Sequence, residues 1–272
     1  MADEGQQMKT IVGHNIVVFF TFFLIIFTTA VQIFLIQAEI GLMGLFLPPT
    51  MLFGSMMVIN YWKCVKIDSS SKSVGKPPSV QTDGWRYCPY TGCSGSVPVN
   101  SRHCHQCNVC VIQRDHHCHF TANCIGQNTL PFFMVLILSM FGLTLTYCFA
   151  NIIYITTHET PGTLILTVVA PIQVLWYFLG YVTLSHCLIS LNIVISFGAL
   201  MGSIVLNYHE YNLLFHNKPY LTKSMPIASS GVLKMSKLDR IKEVYGKKWY
   251  MFFIDPTHQS AIQKQFGVTK VM

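Results

Sequence analysis

The sequence predicts an all-α polytopic membrane protein, with four transmembrane helices and a cytoplasmic zinc-binding Cys-rich domain between the second and the third. Three observations predict this fold. Of the 272 residues, 51% are hydrophobic and only 11% are charged, whereas soluble domains carry roughly 25% charged residues. Four apolar runs reach the roughly 20 residues that cross a hydrocarbon core. A dense group of cysteines and histidines separates the second run from the third.

The four predicted spans lie at about residues 15–36, 41–61, 132–155 and 182–206. The first is longer than the roughly 7–15 apolar residues of a cleaved signal peptide, so we interpret it as an uncleaved signal-anchor. A further apolar stretch at 163–180 precedes the last span. It is either an interfacial or re-entrant segment, or part of one long bent helix.

The positive charges predict the orientation of the chain. All 18 Lys and Arg residues are Lys9 or lie in the segments Lys63–Arg114 and Lys218–Lys270. Positively charged loops stay cytoplasmic, so both termini and the central segment are expected on that side, with an even number of spans after the centre. This pattern accounts for the net charge of +7. We therefore expect contacts with membrane lipid and no nucleic-acid partner.

These features predict four regions. Residues 1–62 contain the first two transmembrane helices, and 63–130 form the cytoplasmic Cys-rich domain. Residues 131–207 contain the third and fourth helices with a short lumenal connection, and 208–272 form a cytoplasmic tail. The Cys-rich domain opens with a Ser-, Lys-, Gly- and Pro-rich linker at 68–79, a composition that rarely packs.

The region 85–130 holds seven of the ten cysteines and five histidines, with few aliphatic side chains. It cannot build an ordinary hydrophobic core, so either disulfides or metal ions must stabilise it. A cytoplasmic segment keeps its thiols reduced, which favours zinc. Each zinc takes four Cys or His ligands, so two structural Cys3His sites would leave one cysteine and several histidines unassigned.

Cys118 is the candidate for the spare cysteine, because it directly follows Asp115, His116 and His117. A thiol is a nucleophile only as thiolate, and His116 can remove its proton. Asp115 can then orient the imidazole and stabilise its charged form. The alternative is that these residues only surround a zinc site and that Cys118 is a ligand.

At these residues the chain resembles the DHHC protein S-acyltransferases, or palmitoyltransferases, a family named for this tetrapeptide. The match runs from His103 through Asp115–Cys118 to the Asn-Cys-Ile-Gly motif at 123–126. A weaker match lies in the tail, at Val244–Gly246, Trp249 and Asp255–Pro256. The resemblance implies two interleaved zinc sites, one held by Cys88, Cys93, His103 and Cys110, the other by Cys104, Cys107, His117 and Cys124.

The resemblance also implies the reaction. Cys118 would attack the thioester of a long-chain fatty acyl-CoA, commonly palmitoyl-CoA, and pass the chain to cysteine-containing protein substrates at the cytoplasmic membrane face. His116 would be the base and Asp115 its orienting group. Endomembranes, either Golgi or endoplasmic reticulum, are the expected location.

Several departures from the family pattern mark a divergent member. The first ligand pair is Cys88-x4-Cys93 instead of Cys-x2-Cys, which puts Cys93 in question as a ligand. His119–Phe120 replaces the usual Pro-Trp, and Thr129 replaces an Asn. The Thr-Thr-x-Glu motif after the last span is absent, with Asn207–Glu210 as a degenerate counterpart.

Two competing functions remain. One is a membrane-tethered zinc module that recruits partners, as ring-type ubiquitin ligases do. The other is a membrane-anchored zinc-binding scaffold that keeps the fold without turnover, which the altered first ligand pair and His119 make credible. In neither would Cys118 carry an acyl group.

Overall fold

The computed structural model describes residues 2–71, 85–90, 93, 95–158, 170–215, 236–245, 247, 249 and 250. Its helices are α1 (Ala2–Val31), α2 (Met43–Lys66), α3 (Leu130–His158), α4 (Ala170–Phe178), α5 (Leu184–Phe215) and α6 (Lys237–Tyr245), and a π-helical segment, Gln32–Gln37, continues directly from α1. Its strands are β1 (Trp85–Tyr87), β2 (Ser96–Pro98), β3 (Ser101–Cys104), β4 (Val109–Ile112), β5 (His116–Cys118) and β6 (Asn123–Ile125).

The four predicted spans are confirmed in the part of the chain that the structure describes. Four helical segments are long and apolar enough to cross a membrane: Asn15–Gln37, Met43–Lys66, Leu130–His158 and Leu184–Asn212. The nine residues of α4 reach only about 14 Å, too short to cross a hydrocarbon core. Residues 163–169, the first part of the uncertain apolar stretch, lie outside the described residues.

The all-α prediction needs a correction, because the Cys-rich region contains three small antiparallel sheets. β1 pairs with β2, β3 with β4, and β5 with β6. Each sheet is a hairpin of three- or four-residue strands. Short hairpins bury too little apolar surface to be stable alone, so contacts among the residues between them must stabilise this region.

The chain divides into two compact units. The Cys-rich unit comprises Met1–Phe19, Ile59–Leu136 and His209–Met272, and the helical unit comprises Phe20–Val58 and Ile137–Tyr208. In the helical unit one apolar cluster consists of Ile36, Phe46, Ala150, Tyr154, Ile189 and Ile193, contributed by the π-helical segment, α2, α3 and α5. In the Cys-rich unit the buried clusters consist mainly of cysteine with valine.

The prediction that the linker at 68–79 does not pack is wrong for its first residues. Ser69, Ser70 and Ser71 are buried, and Ser70 forms an isolated β-bridge with Val111. The hydroxyl of Ser69 donates to Asn123 Oδ1 over 2.9 Å. Small hydroxyl side chains suit this close approach because they satisfy buried polar atoms with little volume. Residues 72–79 lie outside the described residues.

Candidate catalytic and metal centres

The first group of potential metal ligands is Cys88, Cys93, His103 and Cys110, whose ligand atoms all lie within 4.8 Å of one another. Cys93 Sγ is 3.2 Å from His103 Nδ1 and 3.1 Å from Cys110 Sγ. Sulfur atoms bound to one tetrahedral zinc at 2.3 Å stand about 3.8 Å apart. The longer Cys88-x4-Cys93 spacing therefore still brings Cys93 to the same point as its three partners.

The second group is Cys104, Cys107, His117 and Cys124, again within 4.8 Å. His117 Nδ1 lies 3.2 Å from Cys107 Sγ and 3.7 Å from both Cys104 Sγ and Cys124 Sγ. The donor set of three thiols and one imidazole, in a closed group of four, is typical of a structural zinc site. Both groups therefore fit the zinc ions that the motif predicts.

Strand alternation explains why the two groups interleave in sequence. Successive side chains of a strand point to opposite faces. In the β3–β4 hairpin His103 stands opposite Cys110, and both belong to the first group. Cys104, the next residue of β3, faces the other way and belongs to the second group. One hairpin thus contributes ligands to both groups.

The same alternation positions the predicted catalytic residues on β5. His117 stands opposite Cys124 in the β5–β6 hairpin, and both belong to the second group. His116 and Cys118, one residue to either side of His117, share the opposite face of the strand. The spacing therefore keeps the candidate base and nucleophile together and apart from the neighbouring metal ligand.

Asp115, His116 and Cys118 form a connected polar chain. His116 Nδ1 and Asp115 Oδ2 are 2.9 Å apart, and the His116 imidazole lies close enough to the Cys118 thiol to lower its pKa. Because Asp115 engages Nδ1, Nε2 is the nitrogen left for the thiol proton. The Cys118 side chain is buried, whereas that of His116 is 39% exposed, so the base can exchange protons with solvent.

The environment favours a thiolate on Cys118 and a charged imidazole on His116. Burial opposes ionisation of the thiol, but hydrogen bonds with His116 and Thr121 outweigh it and lower the pKa of Cys118. Burial likewise opposes the charge on His116. Its hydrogen bonds with Asp115 and Cys118 outweigh that effect and raise its pKa to about 9. The pair thus resembles an activated thiolate–imidazolium couple.

Side chains of α2 and β6 hold this hairpin in place within the Cys-rich unit. Asn123 Nδ2 donates to the carbonyl oxygens of Cys64 and Ile67, each over 2.9 Å. The Tyr61 hydroxyl donates to the Phe120 carbonyl over 2.8 Å. Cys64 itself is fully buried and lies within electrostatic range of Cys118. A second thiol near the candidate nucleophile must therefore be controlled for in any labelling experiment.

The residues that depart from the family pattern also take structural positions. The hydroxyl of Thr129 accepts from the Gly126 amide over 3.0 Å and donates to the Cys124 carbonyl over 3.0 Å, so it closes the turn between β6 and α3. His119 packs edge-on against the ring of His117, with 5.3 Å between ring centroids. Phe120 is 69% exposed. None of these three side chains displaces Cys118 or His116.

Glu210 is a site residue that the sequence pattern indicated only through a degenerate motif. It is buried at the end of the last span and lies within electrostatic range of Asp115 and His116. Tyr245, in α6 of the tail, is buried near Glu210. The pKa of Tyr245 is raised, mainly by burial and to a smaller extent by the Glu210 carboxyl. The structure therefore places Glu210 near the candidate catalytic group and places Tyr245 of the tail near Glu210. Asp255 and Pro256 lie outside the described residues.

A family model described as DHHC palmitoyltransferase matches residues 81–223, a little over half of the chain. The chain belongs to the DHHC palmitoyltransferase family. Membership confirms the resemblance carried by Asp115–Cys118 and the surrounding cysteines. It also agrees with the four apolar helices, so the protein is an integral membrane protein.

Several palmitoyltransferases are similar to part of the chain. Human "Palmitoyltransferase ZDHHC9" is 37% identical over 119 residues, which cover 39% of this chain and 32% of that protein. "Palmitoyltransferase SWF1" of Saccharomyces cerevisiae is 32% identical over 133 residues, 47% of this chain and 38% of that protein. Human "Probable palmitoyltransferase ZDHHC24" is 40% identical over 62 residues, which cover 23% of this chain and 21% of that protein. The matched segments thus span less than two fifths of each relative.

Proposed function

We propose that the protein is a protein S-acyltransferase that moves a long-chain fatty acyl group, palmitoyl first among the candidates, from acyl-CoA to Cys118 and then to cysteine thiols of substrate proteins. One observation carries this proposal. Among the described residues of the Cys-rich region, six cysteines belong to the two four-residue groups, and Cys118 belongs to neither. It shares its face of β5 with His116 instead.

In the first step the Cys118 thiolate attacks the carbonyl carbon of the acyl-CoA thioester. A new carbon–sulfur bond forms, the bond to the CoA sulfur breaks, and the departing CoA thiolate takes a proton from the His116 imidazolium. Asp115 holds Nδ1 of His116 throughout, so Nε2 faces the reacting sulfur atoms. The products are acyl-Cys118, free CoA and a neutral His116.

In the second step the thiol of a substrate protein gives its proton to the neutral His116. The resulting thiolate attacks the acyl-Cys118 carbonyl carbon, and the bond to Cys118 breaks. Cys118 leaves as a thiolate beside the imidazolium, which restores the starting pair. Because this pair is the stable state of the site, each turnover returns His116 to the form that the next acyl-CoA requires.

Two zinc ions would be held by the two groups of three cysteines and one histidine. Closed shells of four protein ligands leave no open coordination position, so the role of the metal is structural. Binding would lock β3–β4 and β5–β6 and so keep His116 and Cys118 in place. No chemical step needs to pass through the metal.

The four apolar helices support a membrane location for the donor. A sixteen-carbon chain gains about 0.8 kcal/mol for each CH2 removed from water, so acyl-CoA partitions its chain among or beside the spans. The distribution of Lys and Arg supports a cytoplasmic 63–130 segment and cytoplasmic termini. We therefore propose protein substrates at the cytoplasmic face of an endomembrane, either Golgi or endoplasmic reticulum.

The test is acyl loading of the purified full chain in detergent with radiolabelled palmitoyl-CoA. The variants are Cys118→Ser, His116→Ala and Cys64→Ser, the last a matched control for the second thiol nearby. We expect hydroxylamine-labile label on the wild type and on Cys64→Ser, none on Cys118→Ser, and slow loading of His116→Ala. Zinc content measured on each sample ensures that only folded protein is compared.

The competing functions predict different results. A recruitment module or a silent scaffold would stay unlabelled even when it binds its full complement of zinc. Label that persists in Cys118→Ser but disappears in Cys64→Ser would assign the acyl carrier to Cys64. Either result would reject Cys118 as the nucleophile.

A further inference from the structure

In the described part of the helical unit, five completely buried neutral polar side chains include atoms without a hydrogen-bond partner. Gln32 and Gln37 belong to the π-helical segment, Asn151 to α3, and Ser190 and Asn192 to α5, and each has a relative exposure of 0%. Two of them are next to residues of the apolar cluster in sequence, since Asn151 follows Ala150 and Asn192 precedes Ile193. We call these five residues the amide layer. Polar groups inside membrane spans are costly to bury and often have a role.

The π-helical segment is what places both glutamines in the interior. The amide of Ala38 donates to the carbonyl of Ile33, five residues earlier, over 3.2 Å. In this geometry residues five apart lie one turn apart, on the same face, whereas in an α-helix they would be about 140° apart. The irregular turn therefore directs Gln32 and Gln37 inward together. Such turns are rare and are frequently found at functional sites.

Protein contacts satisfy only part of the amide layer. Asn192 Nδ2 donates to Gln32 Oε1 over 2.7 Å, and Gln37 Nε2 donates to Thr50 Oγ1 over 3.0 Å. Within the part of the chain that the structure describes, six buried atoms of the layer have no hydrogen-bond partner: Gln32 Nε2, Gln37 Oε1, both side-chain atoms of Asn151, Asn192 Oδ1 and Ser190 Oγ. Buried amides and hydroxyls in native proteins are almost always satisfied by protein or by ordered water.

The chemistry of these atoms indicates what kind of ligand they would bind. The set mixes donors with acceptors, and it stays mixed whichever way an amide is turned, because each amide carries one oxygen and one NH2. None of the five side chains carries a charge, which disfavours an ion or a phosphate group. A hydrocarbon chain would leave all six atoms unsatisfied. Water is small, neutral, and both donor and acceptor.

We propose that the amide layer is a hydration site that binds a small cluster of buried water molecules linking the π-helical segment, α3 and α5. A buried water makes about three hydrogen bonds, so six atoms correspond to about two waters. The site is distinct from the catalytic group and does not depend on the proposed acyl transfer. Its expected role is to fix the rotation of these helices, since only one arrangement lets the waters reach all the amides.

The test compares two serines of α5. Ser190 and Ser203 are both completely buried, but Ser203 Oγ donates to the Leu200 carbonyl of its own helix over 2.7 Å. Thermal unfolding of the full chain in nanodiscs is measured for Ser190→Ala, Asn151→Leu and the control Ser203→Ala. If water bridges the layer, we expect Ser190→Ala and Asn151→Leu to lower the Tm by about 2–4 °C or more, and Ser203→Ala to change it less.

Oxygen-17 water relaxation dispersion on the same samples counts long-lived buried waters directly. We expect fewer such waters in Asn151→Leu than in the wild type and no loss in Ser203→Ala. The proposal would be overturned if Ser190→Ala and Asn151→Leu both left the Tm unchanged or raised it and the number of long-lived waters did not change. The amide layer would then contain no bound water. A high-resolution map with a lipid or detergent chain among these amides would overturn it as well.

Discussion

In the Cys-rich unit the side chains pack around sulfur and imidazole groups, whereas in the helical unit apolar side chains pack along long helices. The first has short hairpins and eight potential metal ligands within two tight groups. The second has long helices packed around apolar residues such as Ile36, Ala150 and Ile193. Cohesion in the Cys-rich unit therefore depends on a few strong, directional contacts, and in the helical unit on many weak ones. Removing one contact should have very different effects in the two units.

The largest expected effect is the loss of a metal ligand. Structural zinc in small modules contributes about 10–16 kcal/mol of apparent binding free energy. We therefore expect Cys110→Ser to lose one zinc per chain, to expose residues 85–129 to protease and to abolish acyl loading. Zinc is measured by mass spectrometry, protection by limited proteolysis, and helix content by circular dichroism, which we expect to change little.

The matched control is Cys148→Ala, which removes a buried thiol from α3 in the helical unit. It should keep both zinc ions and full protease protection. If Cys110→Ser retained two zinc ions and the protection of the wild type, the difference in cohesion between the two units would not depend on metal.

The next largest effect concerns catalysis. A positioned acid or base contributes about 10²–10⁴-fold to a rate. We expect His116→Ala to slow acyl loading within this range at neutral pH, measured by rapid-quench labelling. Glu210→Gln should change the rate less, because Glu210 lies near the candidate catalytic pair and the proposed mechanism gives it no proton to transfer. Equal losses in both variants would mean that Glu210 acts directly in proton transfer.

The pH dependence of Cys118 alkylation tests whether Asp115 supports the charge on His116. The pKa of Cys118 lies below the ordinary 9.0, and that of His116 is raised to about 9. The thiolate and the imidazolium should therefore coexist between the two pKa values, and above the pKa of His116 the thiolate remains beside a neutral imidazole. Asp115→Asn should lower the pKa of His116 and thereby raise that of Cys118. Iodoacetamide rates, read by mass spectrometry of the Cys118 peptide, should then show a higher midpoint in Asp115→Asn. An unshifted midpoint would exclude Asp115 as the orienting group.

A smaller effect is expected at a crowded glycine of the Cys-rich unit. A Cβ on Gly126 would lie 2.6 Å from Val111 Cγ1 and 2.8 Å from the Ile112 carbonyl oxygen, and the backbone atom cannot easily move away. Overpacking of this kind costs about 1–3 kcal/mol. Gly126→Ala should reduce protease protection of 85–129. Gly44→Ala in α2, where the added Cβ meets nothing within 4 Å, should be neutral or stabilising.

The smallest effect is expected at Gly142 in the helical unit. Its added Cβ would lie 2.6 Å from Cε1 of Phe53, but a flexible ring can shift. We expect Gly142→Ala to lower the Tm by about 2–4 °C. Gly54→Ala, whose Cβ would be 4.0 Å from Leu143, serves as the control. A larger loss at Gly142 than at Gly126 would contradict the proposed difference between the units.

Much of the fold was predictable because its signals are local. Apolar runs of membrane-spanning length need no partner to be recognised, and all four appear as helices. The ligand groups were predictable only through family resemblance, since cysteine spacing alone leaves several divisions open. The sequence did not predict that Ser69–Ser71 would be buried, because composition describes an average tendency, whereas Ser69 and Ser70 meet the specific partners Asn123 and Val111.

The sequence by itself determined the membrane class and the number of spans, and it indicated Cys118 as the candidate nucleophile, because hydrophobic length and adjacent residues are properties of a single segment. Only the tertiary structure decided that His116 and Cys118 share one face of β5, that Glu210 lies near them and that five polar residues of the helical unit are buried with atoms left without a hydrogen-bond partner. These features depend on strand register and on which helix faces meet. Such contacts join residues far apart in the chain, so no local pattern encodes them.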